Sequence, residues 1–215
     1  MEFNVGIIRV LTTDNKEILN AHGNIIEKYF PNLRIESKCI PSQYEGIHGQ
    51  ETKAIAIPKI IELAKEFKNK DAIIVSCADD PGVEELKKIY DIPIIGAGTA
   101  VTMLCTGKDQ KVGVLGITKD IPEPYSKNLG PRAVNLGLPD KVSSTLDLMT
   151  EEGFESCIKK GEELKAEGVD SIALACTGCS TVGLASKLEK HLGIPVLDPV
   201  ICEGLITYYE LIRRV

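Results

Sequence analysis

Tryptophan is absent from the 215 residues, and aromatic residues together make up only 5%. A chain so poor in rings offers no extended stacking platform for single-stranded nucleic acid. No basic block offsets the formal net charge of −6, so neither a phosphate backbone nor an anionic membrane surface is an expected partner. No apolar run approaches 18 residues, and Met1-Glu2-Phe3-Asn4 passes directly into a strand-like run without the charged and apolar regions of a leader. A cytoplasmic protein with no membrane partner is expected. The seven cysteines are an odd number without the spacing of a small disulfide scaffold, which fits a reducing compartment. The one C-x-x-C has neither a second pair nor a His-x₃-His to complete it, so no metal site is expected.

What the chain does have is 43% apolar and 26% charged residues, enough for a full core in one large domain or two of about 100 residues. Short β-branched runs alternate with helical patterns, which predicts α/β architecture with mostly parallel sheets. Strands are expected at 3–11, 33–40, 72–76, 92–96, 111–118, 171–175 and 194–198. Helices are expected from a cap at Thr12 to Asp14 to about Phe30, and at 51–68, 81–90, 98–106, 120–129, 151–167, 180–191 and 199–213. Pro58 should kink the helix at 51–68 or mark its first turn. Asp80 followed by Pro81 has the form of an N-cap and N1 pair. The region after residue 129, with Pro131, Gly137 and Pro139, is expected to be irregular.

The chain also repeats itself. D71-AIIVS ends in Cys77, and D170-SIALA ends in Cys176. Each cysteine is preceded six residues earlier by an Asp and followed, after one helix, by an I-P-[IV] strand. KVGVLGIT from residue 111 echoes NVGIIRVL at 4–11. Four landmarks in the same order indicate two similar halves: a first α/β domain over 1–97, a second over 98–198, and a C-terminal helix, 199–215, packing back on the first.

Ligands of open α/β sheets bind outside the carboxyl ends of the strands, where both cysteines are expected. Halves related by a pseudo-two-fold would set the two sulfurs on either side of a small molecule. Inverting a stereocentre next to a carbonyl takes a base on one face and an acid on the other. A thiol can be either, although with a free pKa of ~8.5 only about 3% is thiolate at pH 7. A helix N-terminus beside each cysteine would raise that fraction. Backbone N–H groups at Ala78-Asp79 and Thr177-Gly178 are candidates to hold the enolate oxygen or a carboxylate. This chemistry needs no cofactor.

CADDPG at 77–82 and GVDSIALACTG at 168–178 resemble the two signature segments of the aspartate/glutamate/hydantoin racemase superfamily, and C-x-x-D-P-G is most similar to the hydantoin racemase branch. The resemblance runs over nearly the whole chain, including I-P-V-L-D-P at 194–199. It implies two Rossmann-like or flavodoxin-like α/β domains with the active site in the cleft between them. It further implies an isomerase carrying out cofactor-independent 1,1-proton transfer, with Cys77 and Cys176 as the acid/base pair, in a homo-oligomer. Amino-acid racemases of the superfamily have Asn-Thr after the first cysteine and Thr-His or Thr-Glu after the second. Ala78-Asp79 and Thr177-Gly178 stand there instead, which favours a ring such as a 5-substituted hydantoin over free aspartate or glutamate. Hydantoin racemases have Asn-Pro-Asn-Thr after the first strand; here Arg9-Val10-Leu11-Thr12 follows it, and an Arg at a strand tip can bind a carboxylate bidentately. An amino-acid racemase or a maleate-isomerase-like enzyme is therefore the alternative.

Arg9, Asp79, Asp80, Thr118, Thr177 and Gly178 are the candidate substrate-binding residues. Asp80 also has its capping reading, and a carboxylate at Asp79 would oppose ionisation of Cys77. Cys39, Cys105, Cys157 and Cys202 are expected in the core, and His22, His48 and His191 at the surface. Cys176-Thr-Gly-Cys179 also has the spacing of a redox dithiol, an alternative of another class that leaves the matching Cys77 unexplained.

Overall fold

A computed structural model describes residues 1–105, 107 and 109–215. They form two compact units, Met1–Ala97 with Val200–Val215, and Gly98–Pro199.

In the first unit, β1 (Phe3–Arg9), β2 (Leu33–Cys39), β3 (Ala72–Ser76) and β4 (Ile94–Gly96) form an all-parallel sheet in the order β2-β1-β3-β4. Every residue of β3 is buried, as a strand covered on both faces requires. The flanking helices are α1 (Lys16–Tyr29), α2 (Gln50–Ala64) and α3 (Val83–Ile89). The cap of α1 is Asn15 rather than Thr12 to Asp14, because its Oδ1 accepts from the N–H groups of Glu17 and Ile18 at 2.8 and 3.3 Å. Pro58 lies inside α2 on the exposed side, and Ile60 and Ala64 face the core. The helix expected at 81 starts only at Val83, because Asp80 and Gly82 take left-handed backbone (φ 48° and 73°). Asp80 is therefore not the cap.

The second unit repeats this plan with β5 (Val112–Leu115), β6 (Ala133–Val134), β7 (Ser171–Leu174) and β8 (Val196–Leu197) in the order β6-β5-β7-β8, again all parallel. β6 lies in the stretch expected to be irregular. Two residues are too short for a period-2 pattern, and only pairing with β5 defines it. The helix expected at 98–106 is α4 (Ala97–Leu104); residue 106 lies outside the described residues. Next come α5 (Glu123–Leu129) and α6 (Glu151–Ala166), the latter capped by the Thr150 hydroxyl, which accepts from Gly153 N–H at 3.1 Å. The helix expected at 180–191 is broken into α7 (Gly178–Thr181) and α8 (Leu184–Leu192) at Gly183, whose φ of 65° is left-handed. The last helix, α9 (Pro199–Ile212), joins the first unit from Val200 onward. There Gly204 lets it approach Phe30 closely, and Phe30 stacks on Tyr208.

The same bonds, as well as the same strand order, recur within each unit. Asp71 N–H donates to Asn4 O at 2.7 Å while its carboxylate accepts from Asn4 N–H at 2.6 Å. Asp170 does the same with Lys111, at 2.8 Å both ways. Ile73 N–H donates to Pro93 O and Ile172 N–H to Pro195 O, each at 2.9 Å. The aspartates and I-P segments of the sequence repeat thus fix the start of β3 and β7 against their neighbours. None of the seven cysteines is in a disulfide, and among the described residues no helix is long and apolar enough to cross a membrane.

Gly6 and Gly113 occupy matching positions in β1 and β5 beneath a covering side chain, Phe67 and Leu164. A Cβ on Gly6 would lie 2.5 Å from the Phe67 ring. Gly6→Ala is expected to cost about 1–3 kcal/mol by overpacking, read by urea denaturation, and adding Phe67→Leu should recover part of the loss.

Candidate functional site

In the first unit, Cys77 follows the last residue of β3 and is buried, 8% exposed. Its N–H donates to Val75 O at 2.9 Å, and its carbonyl accepts from Asp80 N–H at 3.1 Å, which closes a turn. The Asp79 carboxylate pairs with Lys53 of α2 at 3.1 Å, both side chains being mostly buried. The carboxylate expected to oppose ionisation of Cys77 is thus met by a cation. Asp80 turns its carboxylate onto the backbone of Gly96, where even a Cβ would lie 2.3 Å from Asp80 Cγ. Because α3 begins six residues beyond Cys77, the expected helix N-terminus beside this thiol is not there.

Behind Cys77 runs a buried polar chain. Ser76 Oγ donates to Glu203 of α9 at 2.7 Å and lies 2.7 Å from His22 Nδ1, an arrangement satisfied when Nδ1 carries the proton. His22 is 1% exposed, against the expectation of a surface residue; its face of α1 turns inward. Arg9, the register partner of Ser76, is 4% exposed, and its Nη1 donates to Ile18 O and Leu19 O at 2.6 and 3.0 Å. That nitrogen ties the end of β1 to the first turn of α1.

In the second unit, Cys176 lies two residues beyond β7 and is 7% exposed. The same turn is present, with Cys179 N–H donating to Cys176 O at 3.1 Å. More groups converge on this sulfur than the sequence foretold. The Thr145 hydroxyl oxygen lies 4.0 Å from it, and hydrogen bonding from the Cys179 thiol and from the N–H groups of Gly178 and Cys179 also favours its ionised form. These bonds, led by that from Cys179, outweigh burial and bring the Cys176 thiol down to about 7. The same bond, together with burial, holds Cys179 well above the ordinary thiol range. Burial pushes the nearby Cys157 up to about 12, with Cys176 adding to it.

Gly178 is packed tightly, as a Cβ there would meet Thr145 Cγ2 at 2.3 Å and Leu148 Cδ1 at 3.2 Å. Thr145 is held by the loop before α6. Asp147 accepts from the N–H groups of Ser143 and Ser144, both at 2.9 Å, and from their hydroxyls at 3.0 and 3.1 Å. These donors, led by Ser143, keep its carboxyl below the usual range. Thr145, 31 residues before Cys176, was not among the expected site residues. S143-S-T-L-D147 carries the signal of a side-chain-bonded turn, but nothing in it points to Cys176. Thr177 is half-buried beside the cysteine, and Thr118 is half-buried after β5 with its hydroxyl donating to Asp120 O at 2.8 Å.

Cys157 is buried in the core, Cys105 is buried and pushed up to about 11, and Cys202 is buried, while Cys39 is only half-buried with its Sγ toward Thr13 O. His48 is exposed, as is His191, which lies 2.6 Å from Glu162.

Gly178→Ala is expected to destabilise the chain by about 1–3 kcal/mol through the clash with Thr145. Adding Thr145→Ser, which removes the offending methyl and keeps the hydroxyl, should restore most of it in thermal unfolding. Diamide should join Cys176 to Cys179, seen as one internal disulfide by peptide mass spectrometry and reversed by dithiothreitol.

The chain is 28% identical over 177 residues to the hydantoin racemase of Pseudomonas sp. (strain NS671), covering 79% of this chain and 69% of that one. It is 25% identical over 170 residues to the hydantoin racemase of Paenarthrobacter aurescens, covering 74% and 70%. Its fold matches that of the allantoin racemase from Klebsiella pneumoniae with a TM-score of 0.85 at 20% identity, over 100% of this chain and 89% of the other. The family profile described as Asp/Glu/Hydantoin racemase matches residues 20–203. With most of its length inside that profile, the chain belongs to the Asp/Glu/hydantoin racemase family and is an isomerase of the racemase type.

Proposed function

We propose that the protein racemises a 5-substituted hydantoin or a related amino-acid derivative, using Cys77 and Cys176 as a two-thiol acid/base pair. The observation that carries this reading is the repeated device: in each unit a cysteine follows the third strand and opens the same i to i+3 turn. The C5–H of a hydantoin lies next to a ring carbonyl, so its removal gives an enolate. One thiolate takes the proton, and the thiol on the other face returns one. The pair exchanges protonation states, so proton and charge balance without a cofactor.

The ring preference is supported by the names of the curated relatives and by Gly178. Amino-acid racemases of the superfamily place a His or Glu at this position, where even a methyl group would collide with Thr145. Allantoin is itself a hydantoin bearing a ureido group at C5. Arg9, buried at the end of β1, is retained as a candidate contact. Asp79, Asp80, Thr118 and Thr177 are retained as candidate contacts around the thiols, and Gly178 as the residue that keeps the position after Thr177 small.

In D₂O, a single enantiomer of a 5-substituted hydantoin should lose optical rotation while deuterium enters at C5. Cys77→Ser and Cys176→Ser should each lower racemisation by at least 10²-fold, on the scale of general acid–base catalysis, with exchange surviving on one enantiomer only. Full activity in either variant would overturn the two-thiol mechanism.

A further inference from the structure

The residue before each cysteine differs between the units: Ser76 precedes Cys77, and Ala175 precedes Cys176. Resting on the two-thiol reading above, we propose that Ser76 is a positioning residue for Cys77. The buried chain of His22, Ser76 and Glu203 holds the turn by which Cys77 leaves β3, and so fixes where its sulfur stands.

Cys77 N–H donates to Val75 O at 2.9 Å, a three-residue γ-turn with Ser76 at its centre. The direction in which the chain leaves β3 is therefore set at Ser76, and the side chain of that residue is held from two sides. Its Oγ lies 2.7 Å from His22 Nδ1 and donates to Glu203 Oε1 at 2.7 Å. A hydroxyl bonded on both sides cannot rotate without breaking a bond. All three side chains belong to residues at most 1% exposed, where a broken bond is not replaced by water. Each partner is itself anchored. The helix that carries His22, α1, is tied to the end of β1 through Arg9, the register partner of Ser76. The helix that carries Glu203, α9, comes close to α1 because Gly204 has no side chain; a Cβ there would lie 3.2 Å from Ile26. The second unit secures its strand end by other means. The carbonyl that matches Val75, that of Leu174, accepts from the buried Tyr125 hydroxyl at 2.7 Å. Alanine is sufficient at residue 175 for this reason, whereas the first unit works through the side chain next to its cysteine.

Two measurements on Ser76→Ala test this. Without substrate, the Cys77 amide, followed by NMR, should exchange with D₂O roughly tenfold faster than in the unaltered chain. The Cys179 amide, bonded to Cys176 O in the second unit, should change by less than about twofold, whereas general loosening would accelerate both. With a 5-substituted hydantoin, kcat should fall roughly 10- to 10²-fold, the scale of a misplaced reacting group, while KM moves by no more than about twofold. Deuterium exchange at C5 should survive on the enantiomer that Cys176 deprotonates and fall on the other. Adding Glu203→Ala should lower kcat no further than Ser76→Ala alone, because both act through one chain. His22→Ala should weaken the same two readouts, and His22→Asn, whose amide nitrogen can stand where Nδ1 does, should recover most of the loss. That pair carries the test if Ser76→Ala does not fold. A Cys77 amide that keeps its original exchange rate, or an equal loss of C5 exchange on both enantiomers, overturns the proposal. The racemase reading fails separately, by absence of C5 exchange in the unaltered chain whatever the Cys77 amide does.

Discussion

Register is the constraint on which both units depend. Successive side chains of a strand point to opposite faces, so a slip of one residue would carry every side chain of β3 or β7 to the other face of its sheet and undo its packing. Asp71 and Asp170 prevent that slip by exchanging two short bonds with Asn4 and Lys111 at the foot of the central strands. Ile73 and Ile172 repeat the restraint on the other edge through the carbonyls of Pro93 and Pro195. With both edges fixed, each strand can end at one place only, and in each unit a cysteine follows. The aspartates lie six residues before the cysteines, at the opposite ends of the strands. They decide which residue arrives where the chemistry is.

Beyond the strand tips the halves diverge, and the divergence is chemical. After Cys77 the chain passes through two left-handed residues before α3, and Asp80 rests on Gly96. After Cys176 the chain coils at once into the single turn of α7, whose N–H groups and Cys179 gather around the sulfur. A thiol in an apolar setting is raised, as Cys157 and Cys105 are. Cys176 is equally buried and moves the other way. Burial opposes ionisation by removing water, and hydrogen bonding to the Cys176 sulfur outweighs that loss. The first unit carries its own polar investment one residue earlier, where Ser76, His22 and Glu203 bind β3, α1 and α9 together.

Most of the architecture was legible because its signals are local or repeated. Continuous apolar runs marked β1, β3 and β7. The spacing of Asp, Cys and I-P marked the two halves, and the family resemblance rested on the same residues. Errors gathered where a backbone conformation or a partner distant in sequence decides. Asp80-Pro81 has the letters of a helix start, but Gly82 takes the left-handed turn and delays the helix. Gly183 splits a helix that periodicity would run through. β6 exists only by pairing.

The sequence by itself therefore determined the α/β class, the duplication and the two cysteines, because strand pattern and repeated spacing are written in consecutive residues. Only the tertiary structure decided what surrounds each sulfur. Thr145 reaches Cys176 from 31 residues away through a loop held by Asp147, and Lys53 of α2 reaches Asp79 in the turn after Cys77. Hydrogen bonds of this kind depend on distances between segments, which the order of residues does not contain until the chain is folded.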